Sequence, residues 1–436
     1  MSATKTRGQD KAVCIVGAGA AGLWAAAAIA RHGVGVVLLE KTGRTGTKIL
    51  ASGGGRCNLT TALDGQAAAR AFGAGESFVR FAFRALPPKA VREHFGERGV
   101  PTLVEPAMDK VFPASERAQD VRDALLKDAL GHGVELRLHQ AVSAVERLPD
   151  GTYKVVLESG ESLLCTTLVL CPGGKSYPKT GTTGDGFGWL RALGLQQVPP
   201  VPSLTPLSSS ASWVHELSGL TLDKVELRLT TLEGRVIARR RRPLLFTHRG
   251  VSGPGPMDLS LHVARGLADS SAKTRGADGS VFVLAIDLLP DVDEEQLRGL
   301  LIEANQQRGV VGLRSLLGPG IPRKLWPQLV RQARLGDSMP DLKSLDRKGR
   351  NRLVAALKGL RVPIDGTLGF NKAESTSGGL PLHRVNAKTM EVKGYGGLYV
   401  VGEMLNLDCP IGGFSFQAAF ATAELAARHI VASSIS

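Results

Sequence analysis

The chain has 436 residues, of which 43% are hydrophobic and 22% are charged. These values are typical of globular proteins and exclude a wholly disordered chain. At roughly 100–200 residues per domain, the length predicts two or three domains that bury a core without disulfides or metals. The 54 Lys and Arg against 40 Asp and Glu give a net charge of +14, which favours an anionic partner such as a phosphate, a nucleic acid or a membrane surface.

The five cysteines argue against a disulfide framework, because their number is odd and no two are spaced as CxxC. The same lack of CxxC argues against a zinc ribbon, and the nine histidines include no HxxH or HxxxH pair. We therefore expect no metal site and a reducing, cytoplasmic setting.

The uncharged N-terminal segment 12–30 resembles a signal peptide or a membrane span. Its three glycines weaken a membrane helix, and the polar end at 31–33 is typical of a soluble helix. The pattern predicts a strand at 12–16, a helix at 20–31 and a strand at 34–39, which start a βαβ unit. We therefore expect no membrane association.

The rest of the chain is predicted as two α/β pieces around a differently patterned middle. The first piece continues with a glycine-rich loop at 41–60, helical segments at 74–98 and 115–132, and strands at 134–172. After about residue 192, four prolines mark a linker-like stretch at 199–206. The later predicted elements are strands at 220–263 and 280–289, a mostly helical segment at 291–360, a strand at 397–401 and a helix at 414–432. This order predicts one domain interrupted by an insertion.

A GxGxxG motif lies between the first predicted strand and the first predicted helix, at residues 17–22. Gly17 permits a tight turn, Gly19 lets a pyrophosphate approach the backbone, and Gly22 lets the helix pack on the strand. Because a strand precedes the motif and a helix follows it, the motif predicts a dinucleotide site rather than a simple turn.

The phosphates of the dinucleotide would lie at the helix N-terminus, beside Ala20 and Ala21, whose N–H groups and positive dipole end attract anions. Glu40 ends the next predicted strand, where an acidic residue suits two ribose hydroxyls and opposes a 2′-phosphate. This unit alone does not separate NAD from FAD.

A basic, glycine-rich loop follows Glu40 and includes Lys41 and Lys48. Consecutive glycines with Arg and Lys can supply backbone donors and positive charge to a second phosphate or to a flavin edge. The other candidate cofactor residues of this loop are Gly54, Gly55, Arg56, Cys57 and Asn58. The alternative is an ordinary solvated loop.

Four stretches of the chain, taken in order, form a more specific pattern. They are residues 48–60 (KILASGGGRCNLT), 171–178 (CPGGKSYP) with 180–186 (TGTTGDG), 246–254 (FTHRGVSGP), and 397–408 (GLYVVGEMLNLD) with 411–414 (IGGF). This set resembles the signatures of the BaiN/YhiN-like flavoprotein family, and the match spans nearly the whole chain.

The resemblance implies an α/β fold in which FAD binds a two-part Rossmann-like domain at 1–192 and 366–436. An insertion at 193–365 would hold a β-barrel at about 200–290 and a helical part at about 291–360. The implied activity is that of an NAD(P)/FAD-dependent oxidoreductase. Members of the family have been linked to steroids, an amine, and uridine in ribosomal RNA.

The resemblance also assigns cofactor contacts. Val142 lies in a strand whose backbone would meet adenine, and Gly402-Glu403 would face the ribityl-phosphate region. Gly412-Gly413 open the last helix, whose N-terminus would stabilise negative charge on reduced flavin. The remaining contacts are Gly173, Gly174 and Phe414.

The chain departs from the family at two of these motifs. It has Cys171-Pro172-Gly173 where Ala-Thr-Gly is more frequent, and Gly413-Phe414-Ser415 where many members have Gly-Tyr-Asn. The short Ser415 hydroxyl in place of an amide indicates a subgroup with a different flavin contact.

Two residues are candidates for acid–base catalysis. Cys57 lies beside Arg56, which is expected to lower the pKa of the thiol, although a buried structural thiol is an equal alternative. His248 in the FTHRG stretch is the second candidate, with a structural role as its alternative. No second strand–GxGxxG–helix unit is present for NAD(P)H. We therefore expect either transient binding of NAD(P)H as reductant or loading of the flavin by a reduced substrate.

Positive charge concentrates in the predicted insertion. Residues 235–249 carry six arginines and no acidic residue, and residues 314–361 carry twelve Lys and Arg against three Asp. This concentration favours docking of ribosomal RNA at the insertion, with solubilising charge as the alternative. The sequence thus leaves three hypotheses: an FAD-dependent oxidoreductase acting on uridine in ribosomal RNA, a small-molecule flavin oxidase or reductase of an amine or enone, and a non-enzymatic flavin-containing RNA-binding or assembly factor.

Overall fold

The computed structural model describes residues 13–269, 275–306, 321–336 and 345–435. The chain divides into two compact units, Met1–Pro200 with Glu374–Ser436 and, separately, Val201–Ala373. The unit boundaries lie a few residues after the domain boundaries expected from the sequence. The assignment of the units as cofactor domain and insertion stays a prediction.

The first unit is built on a five-stranded parallel sheet. In spatial order its strands are Leu398–Val400, Thr167–Leu170, Val13–Val16, Val36–Leu39 and Glu135–Arg137. Every residue of the two N-terminal strands is buried, as expected for parallel strands covered on both faces. The predicted strand–helix–strand unit is therefore confirmed, and the carboxyl ends of the strands form the edge where open α/β sheets bind ligands.

Eight helices accompany this sheet within the described part of the first unit. They are Ala20–Ala30, Thr47–Ala51, Gly65–Arg70, Glu76–Ala85, Pro88–Glu97, Ala118–Gly131, Asp185–Ala192 and Phe414–Ile435. The first and last of these pack on each other, with the rings of Trp24 and Phe420 5.0 Å apart. Alanines on nearly every face of the first helix permit this close burial. Within the described ranges, no helix combines the length and apolar character that a membrane crossing needs.

Antiparallel strands complete the first unit. They are Thr60–Thr61, Thr102–Glu105 and Lys110–Pro113 in one sheet, and Val142–Arg147, Tyr153–Leu157 and Ser162–Cys165 in another. A further strand, Ser375–Gly379, follows the start of the C-terminal segment.

Three predictions for this part of the chain were wrong in detail. The helical segment 74–98 is broken at residues 86–87, because the residue before a proline is disfavoured in a helix. The predicted loop 41–60 contains the helix Thr47–Ala51 and a 3-10 turn at Ser52–Gly55. The linker-like proline stretch forms the edge strand Val198–Ser203, where prolines are tolerated.

The second unit contains two antiparallel sheets, whose strands come from the region predicted as a barrel and from the segment 360–367 beyond it. The five-stranded sheet has the order Thr221–Leu222, Leu244–Thr247, Gly250–Ser252, Leu207–Ser208 and Gly366–Thr367. The four-stranded sheet has the order Val236–Arg241, Glu226–Thr230, Phe282–Asp287 and Leu360–Ile364. Both sheets contribute to one buried apolar cluster.

The described helices of the second unit are Ser212–Glu216, Pro254–Ala268, Glu294–Gln306, Trp326–Gln332 and Arg347–Lys358. The strand predicted up to residue 263 is wrong, because a helix begins at Pro254. Proline is tolerated in the first turn of a helix, and Leu259 and Val263 recur at the spacing of one buried helical face. The helical prediction for 291–360 is confirmed for the described segments, whereas residues 307–320 and 337–344 lie outside them.

A polar cluster lies buried among the helices of the first unit. The His94 ring stacks on Trp24 at 4.1 Å, and its Nε2 lies 3.8 Å from Asp128 Oδ2. Arg98 also pairs with Asp128, at 3.0 Å. Burial and then the Arg98 charge lower the pKa of His94 to about 4, against the opposing pull of Asp128. His94 is therefore neutral in the folded protein at physiological pH.

We expect this histidine to make stability pH-dependent. Between pH 6.5 and about 4, the unfolded chain binds a proton at His94 that the folded chain does not. The contribution of neutral His94 to the unfolding free energy is therefore complete above about pH 6.5 and is lost as the pH falls towards 4. His94→Gln should reduce the change in unfolding free energy across this pH window by about 2–3 kcal/mol, as measured by urea unfolding.

The matched control is His383→Gln, which removes an exposed histidine of the same unit. This control should keep the slope of the parent protein. Equal slopes for all three proteins would show that His94 does not govern the profile.

Candidate functional site

Three glycines shape the loop after the first strand. Gly17 has a φ of +105°, and a Cβ there would lie 2.6 Å from the carbonyl oxygen of Cys171. A Cβ at Gly22 would lie 1.8 Å from the carbonyl oxygen of Gly17, so only glycine lets the helix approach the loop. Gly19 is different, because its φ of −84° suits any residue and no described atom lies within 4 Å of its Cβ position. Gly19 therefore leaves room for a ligand against the backbone.

The first helix, Ala20–Ala30, begins directly after this loop, and its N-terminus is uncapped. No described side chain caps it, and no acidic residue lies in its first turn. Its first N–H groups and its positive dipole end are thus available to an anion. Ala20 is half-buried, whereas Ala21 is buried with Gly402 beside it.

Glu40 is fixed beside the same loop. Its Oε2 accepts a hydrogen bond from the Ala18 N–H at 3.0 Å. Its Oε1 accepts from the N–H and the hydroxyl of Thr42, at 2.9 and 2.8 Å. Oε1 thus uses both of its lone pairs, whereas Oε2 keeps one, so the carboxylate is oriented yet able to accept from a ribose hydroxyl. The ribose contact itself stays a prediction.

Lys41 and Lys48 lie in different environments. Lys41 pairs with Asp185 at 2.6 Å, and both side chains are about one-third exposed. Lys48 contacts the Ser176 hydroxyl and forms an ion pair with Glu403, with side-chain exposures of 26% and 19% for the pair. Lys48 is therefore the more enclosed of the two cations.

Glu403 is the centre of a network that joins three of the sequence motifs. Its Oε1 accepts from the Ser176 hydroxyl at 2.9 Å and from the Thr376 N–H at 2.6 Å. Thr376 Oγ1 accepts in turn from the N–H groups of Lys175 and Ser176, at 2.8 and 3.1 Å. With Lys48, these contacts hold the motifs at 48–60, 171–178 and 397–408 together.

Gly173 and Gly174 are required by packing within this network. A Cβ at Gly174 would lie 2.3 Å from Thr376 Oγ1, and one at Gly173 would lie 2.5 Å from a methyl carbon of Thr182. A contact of either glycine with the cofactor stays a prediction.

The loop at 52–58 has an unusual backbone. Gly53, Gly54 and Gly55 have φ values of +55°, +68° and +90° in succession, which glycine adopts far more readily than other residues. No described atom lies within 4 Å of the Cβ positions of Gly54 and Gly55. This open stretch of backbone fits the predicted contact with a cofactor.

The expected lowering of the Cys57 pKa by Arg56 is wrong. The Arg56 guanidinium stacks on the Phe112 ring at 4.2 Å and bonds Glu116 at 3.1 Å. Burial raises the pKa of the fully enclosed Cys57 thiol to about 12, and a hydrogen bond with Ser52 only partly opposes this rise. The thiol is protonated at neutral pH, which favours the structural alternative. Its role as a proton donor stays a prediction.

Alkylation of the native protein should separate its cysteines. Cys14, Cys57, Cys165 and Cys171 are buried, whereas Cys409 is half-exposed. Because only an accessible thiolate reacts, iodoacetamide should modify Cys409 first and leave Cys57 intact, as read by peptide mass spectrometry. Denaturant should make all five reactive. Comparable native rates at Cys57 and Cys409 would contradict the raised pKa.

The SGGGRCN and IGGF motifs meet at the start of the last helix. A Cβ at Gly413 would lie 2.1 Å from the carbonyl oxygen of Thr60 and 2.8 Å from Asn58 Oδ1. The Thr60 hydroxyl donates to Gln417 Oε1 at 2.6 Å. Two segments more than 350 residues apart in sequence thus pack directly against each other.

The remaining predicted residues are placed as follows. A Cβ at Gly412 would lie 2.5 Å from the ring of Phe414, which is buried edge-to-face against Phe72 at 6.3 Å. Val142 is buried at the start of its strand. His248 lies exposed in a hairpin turn of the second unit. The cofactor contacts of Gly412, Phe414 and Val142 and the catalytic role of His248 stay predictions.

Thr45 was missed by the sequence analysis. It is 3% exposed, yet its hydroxyl has no hydrogen-bond partner among the described residues. The N–H of the neighbouring Gly46 bonds the Ala18 carbonyl at 2.9 Å, so Thr45 lies beside the glycine loop. A buried hydroxyl without a partner is rare and fits a polar group of a bound dinucleotide. No local signal distinguishes Thr45 from other loop residues.

Ser176 and Thr376 were also missed. Ser176 lies inside a matched motif, but its role depends on Lys48 and Glu403, which are distant in sequence. Thr376 lies in no motif, so only tertiary structure reveals it.

The open backbone at Gly19, the uncapped helix, the oriented Glu40 and the unpaired Thr45 hydroxyl fit the phosphates and ribose of a dinucleotide. Together with the parallel sheet, they define a Rossmann-type dinucleotide-binding protein. Across the described ranges, no group of three His, Cys, Asp or Glu side chains is placed to hold a metal ion.

The chain belongs to the HI0933-like protein Rossmann domain family, whose model matches residues 11–429. It is 30% identical over 421 residues to the ribosomal RNA dihydrouridine synthase of Escherichia coli (strain K12), covering 96% of this chain and 97% of that protein. It is 28% identical over 418 residues to the 3-dehydro-bile acid delta(4,6)-reductase of Clostridium scindens, covering 95% and 97%.

Solved structures share the fold at low identity. The 3-ketosteroid delta1-dehydrogenase of Sterolibacterium denitrificans gives a TM-score of 0.53 at 13% identity over 97% of this chain and 99% of that chain. A flavocytochrome c3 fumarate reductase gives a TM-score of 0.51 at 14% identity over 98% of this chain and 79% of that chain.

By its family membership and its relatives, the protein is an FAD-dependent oxidoreductase. The family, the α/β fold and the FAD cofactor predicted from the sequence are therefore confirmed.

Proposed function

We propose that this enzyme reduces uridine to dihydrouridine in ribosomal RNA. The observation that carries the proposal is the full-length similarity to the ribosomal RNA dihydrouridine synthase of Escherichia coli, at 30% identity. A relative of the same name from Haemophilus influenzae is also 30% identical, over 95% of this chain and 97% of that protein. The net charge of +14 supports a polyanionic substrate.

Saturation of the uracil C5–C6 double bond requires a hydride and a proton. Bound FAD supplies hydride chemistry, and the protein supplies binding, orientation and electrostatics. The proposal includes NAD(P)H as a transient reductant that reloads the cofactor, and a cytoplasmic location where ribosomal RNA and reductant are both present. Cys57 and His248 remain its candidates for handling the proton.

The proposed cofactor contacts follow from the geometry of the first unit. Gly17, Gly19 and Gly22 with the N-terminus of the first helix would hold the pyrophosphate, and Glu40 would bind the adenosine ribose. The Thr45 hydroxyl, which lies beside this loop without a partner, would complete the polar contacts.

The experiment is to express this chain in an Escherichia coli strain that lacks the 30% identical relative. Dihydrouridine in ribosomal RNA is then measured by nuclease digestion and mass spectrometry, with Gly19→Ala as the cofactor-deficient control. We expect the parent protein to restore dihydrouridine and the control to fail. Unchanged dihydrouridine at every site, with soluble yellow protein present, would reject the function.

Reduction of a small enone is the second candidate. It is favoured by the 28% identity to the bile acid reductase over nearly the full length of both proteins. Anaerobically reduced enzyme mixed with a steroid dienone should regain flavin absorbance within seconds if this candidate is correct. Slow reoxidation that is independent of dienone concentration would reject it.

A further inference from the structure

A row of arginines crosses the four-stranded sheet of the second unit. In the antiparallel register, Arg239 lies opposite Arg228, Arg228 opposite Ala285, and Ala285 opposite Arg361. Side chains directly opposite each other in a sheet lie on the same face. Arg239, Arg228 and Arg361 therefore form one line on the face away from the apolar cluster, here called the arginine row.

The row is unfavourable for folding by itself. Like charges directly opposite each other destabilise a sheet. The Arg228 guanidinium is half-buried and bonds the Lys358 carbonyl, whereas the Arg239 side chain is 62% exposed and Arg361 is exposed. The two outer arginines thus present their charge to solvent, where an anionic ligand would offset the repulsion.

Neighbouring arginines of the predicted basic stretch are neutralised within the fold. Arg242 bonds the buried Asp258 at 3.0 Å, and Arg241 pairs with Asp291. Arg239, in contrast, forms a long ion pair, in which its guanidinium lies 3.9 Å from the Glu226 carboxylate. The charge of the stretch 235–249 is therefore unevenly available, and its one member in the arginine row, Arg239, has a side chain that is 62% exposed.

A second group of arginines lies near the Arg361 end of the row. The Gln332 side chain bonds the backbone N–H and C=O of Arg361, at 2.9 and 2.8 Å. This contact brings the end of the helix Trp326–Gln332 to the outer strand of the sheet. Arg331 and Arg334, both exposed, lie at this helix end. Two further exposed arginines therefore lie close in sequence to the residue that contacts the Arg361 end of the row.

We propose that the arginine row, with Arg331 and Arg334, binds the sugar–phosphate backbone of the RNA substrate. The inference rests on the proposed function. Three strand spacings of about 4.8 Å separate the two exposed ends of the row by roughly 14 Å, which suits successive phosphates better than one small anion. Guanidinium groups match phosphate geometry, and the row contains no aromatic side chain for base stacking.

The test compares two variants with equal loss of charge. Arg239→Gln/Arg361→Gln removes both exposed ends of the row. Arg80→Gln/Arg84→Gln removes two exposed arginines from a helix of the first unit. FAD-loaded proteins are titrated with a labelled transcript of ribosomal RNA over a range of salt concentrations, and binding is followed by fluorescence anisotropy.

The row variant should bind about tenfold more weakly, and its log K against log salt slope should fall by about two, because each lost phosphate contact removes about one. The control variant should stay within roughly twofold of the parent protein. Arg239→Lys/Arg361→Lys should keep the slope, because it keeps the charge. Flavin absorbance and thermal unfolding are measured for each variant to compare folding.

Equal weakening in the row and control variants, or an unchanged slope in the row variant, would overturn the inference. So would a parent protein that does not bind the transcript. Dihydrouridine formation separates the two proposals. Restored dihydrouridine without row-dependent binding rejects the docking surface alone, whereas row-dependent binding without dihydrouridine rejects the proposed reaction and keeps the surface.

Discussion

Gly19→Ala is expected to leave a folded protein that has lost most of its affinity for FAD. The φ of −84° at this position suits alanine, and no described atom lies within 4 Å of the new methyl group. The unfolding free energy of the apoprotein should therefore change by less than about 1 kcal/mol. The methyl group would occupy the space that the pyrophosphate needs against the backbone. The Kd for FAD, measured by flavin fluorescence quenching, should rise at least about tenfold.

The matched control is Gly22→Ala in the same motif. Its methyl group would meet the carbonyl oxygen of Gly17 at 1.8 Å, so the helix must move. This variant should lower the thermal stability of the apoprotein as well as its FAD affinity. If Gly19→Ala binds FAD like the parent protein, the cofactor does not lie against this loop.

Glu403→Gln is expected to lower the unfolding free energy of the apoprotein by about 2 kcal/mol. The substitution keeps the shape of the side chain but removes the charge that pairs with Lys48. It also weakens acceptance from Ser176 and Thr376, and hydrogen bonds to charged groups contribute about 1.5–3 kcal/mol. Chemical unfolding of the apoprotein measures the change without any contribution from FAD.

The control for this prediction is Asp185→Asn, which breaks the more exposed pair with Lys41 in the same unit. Its effect should stay below about 1 kcal/mol, as is usual for surface pairs. The double variant Lys48→Met/Glu403→Gln should lose less than the sum of its single changes, because the two side chains interact. Strictly additive losses would show that the ion pair contributes nothing.

Local patterns were sufficient for the centre of the first unit. The strand–glycine loop–helix at its N-terminus was predicted because apolar runs and glycines act over a few residues. The boundaries of helices that end or begin at a proline were predicted less accurately. The helical pattern at 74–98 does not reveal the break at Pro87, and the pattern around Pro254 predicts strand where a helix begins. Both errors arose where proline is compatible with more than one structure.

Properties set by the surroundings of a residue escaped the sequence analysis. The basic neighbour of Cys57 predicts a lowered pKa, but burial dominates and raises the pKa of the thiol to about 12. Six arginines without an acid predict a basic patch at 235–249, but Asp258 and Asp291 from other segments pair with Arg242 and Arg241. Desolvation and charge pairing depend on groups that sequence distance does not reveal.

The length, composition and charge by themselves predict a folded protein of two or three domains and favour an anionic partner. The order of its motifs determined the flavoprotein family, because glycine turns and strand–helix units are local. Only the tertiary structure decided which glycine leaves room for a ligand, that Glu403 bonds Lys48, Ser176 and Thr376, and which arginines pair with acidic side chains of other segments. These features depend on contacts between distant segments, where burial and pairing set the energies.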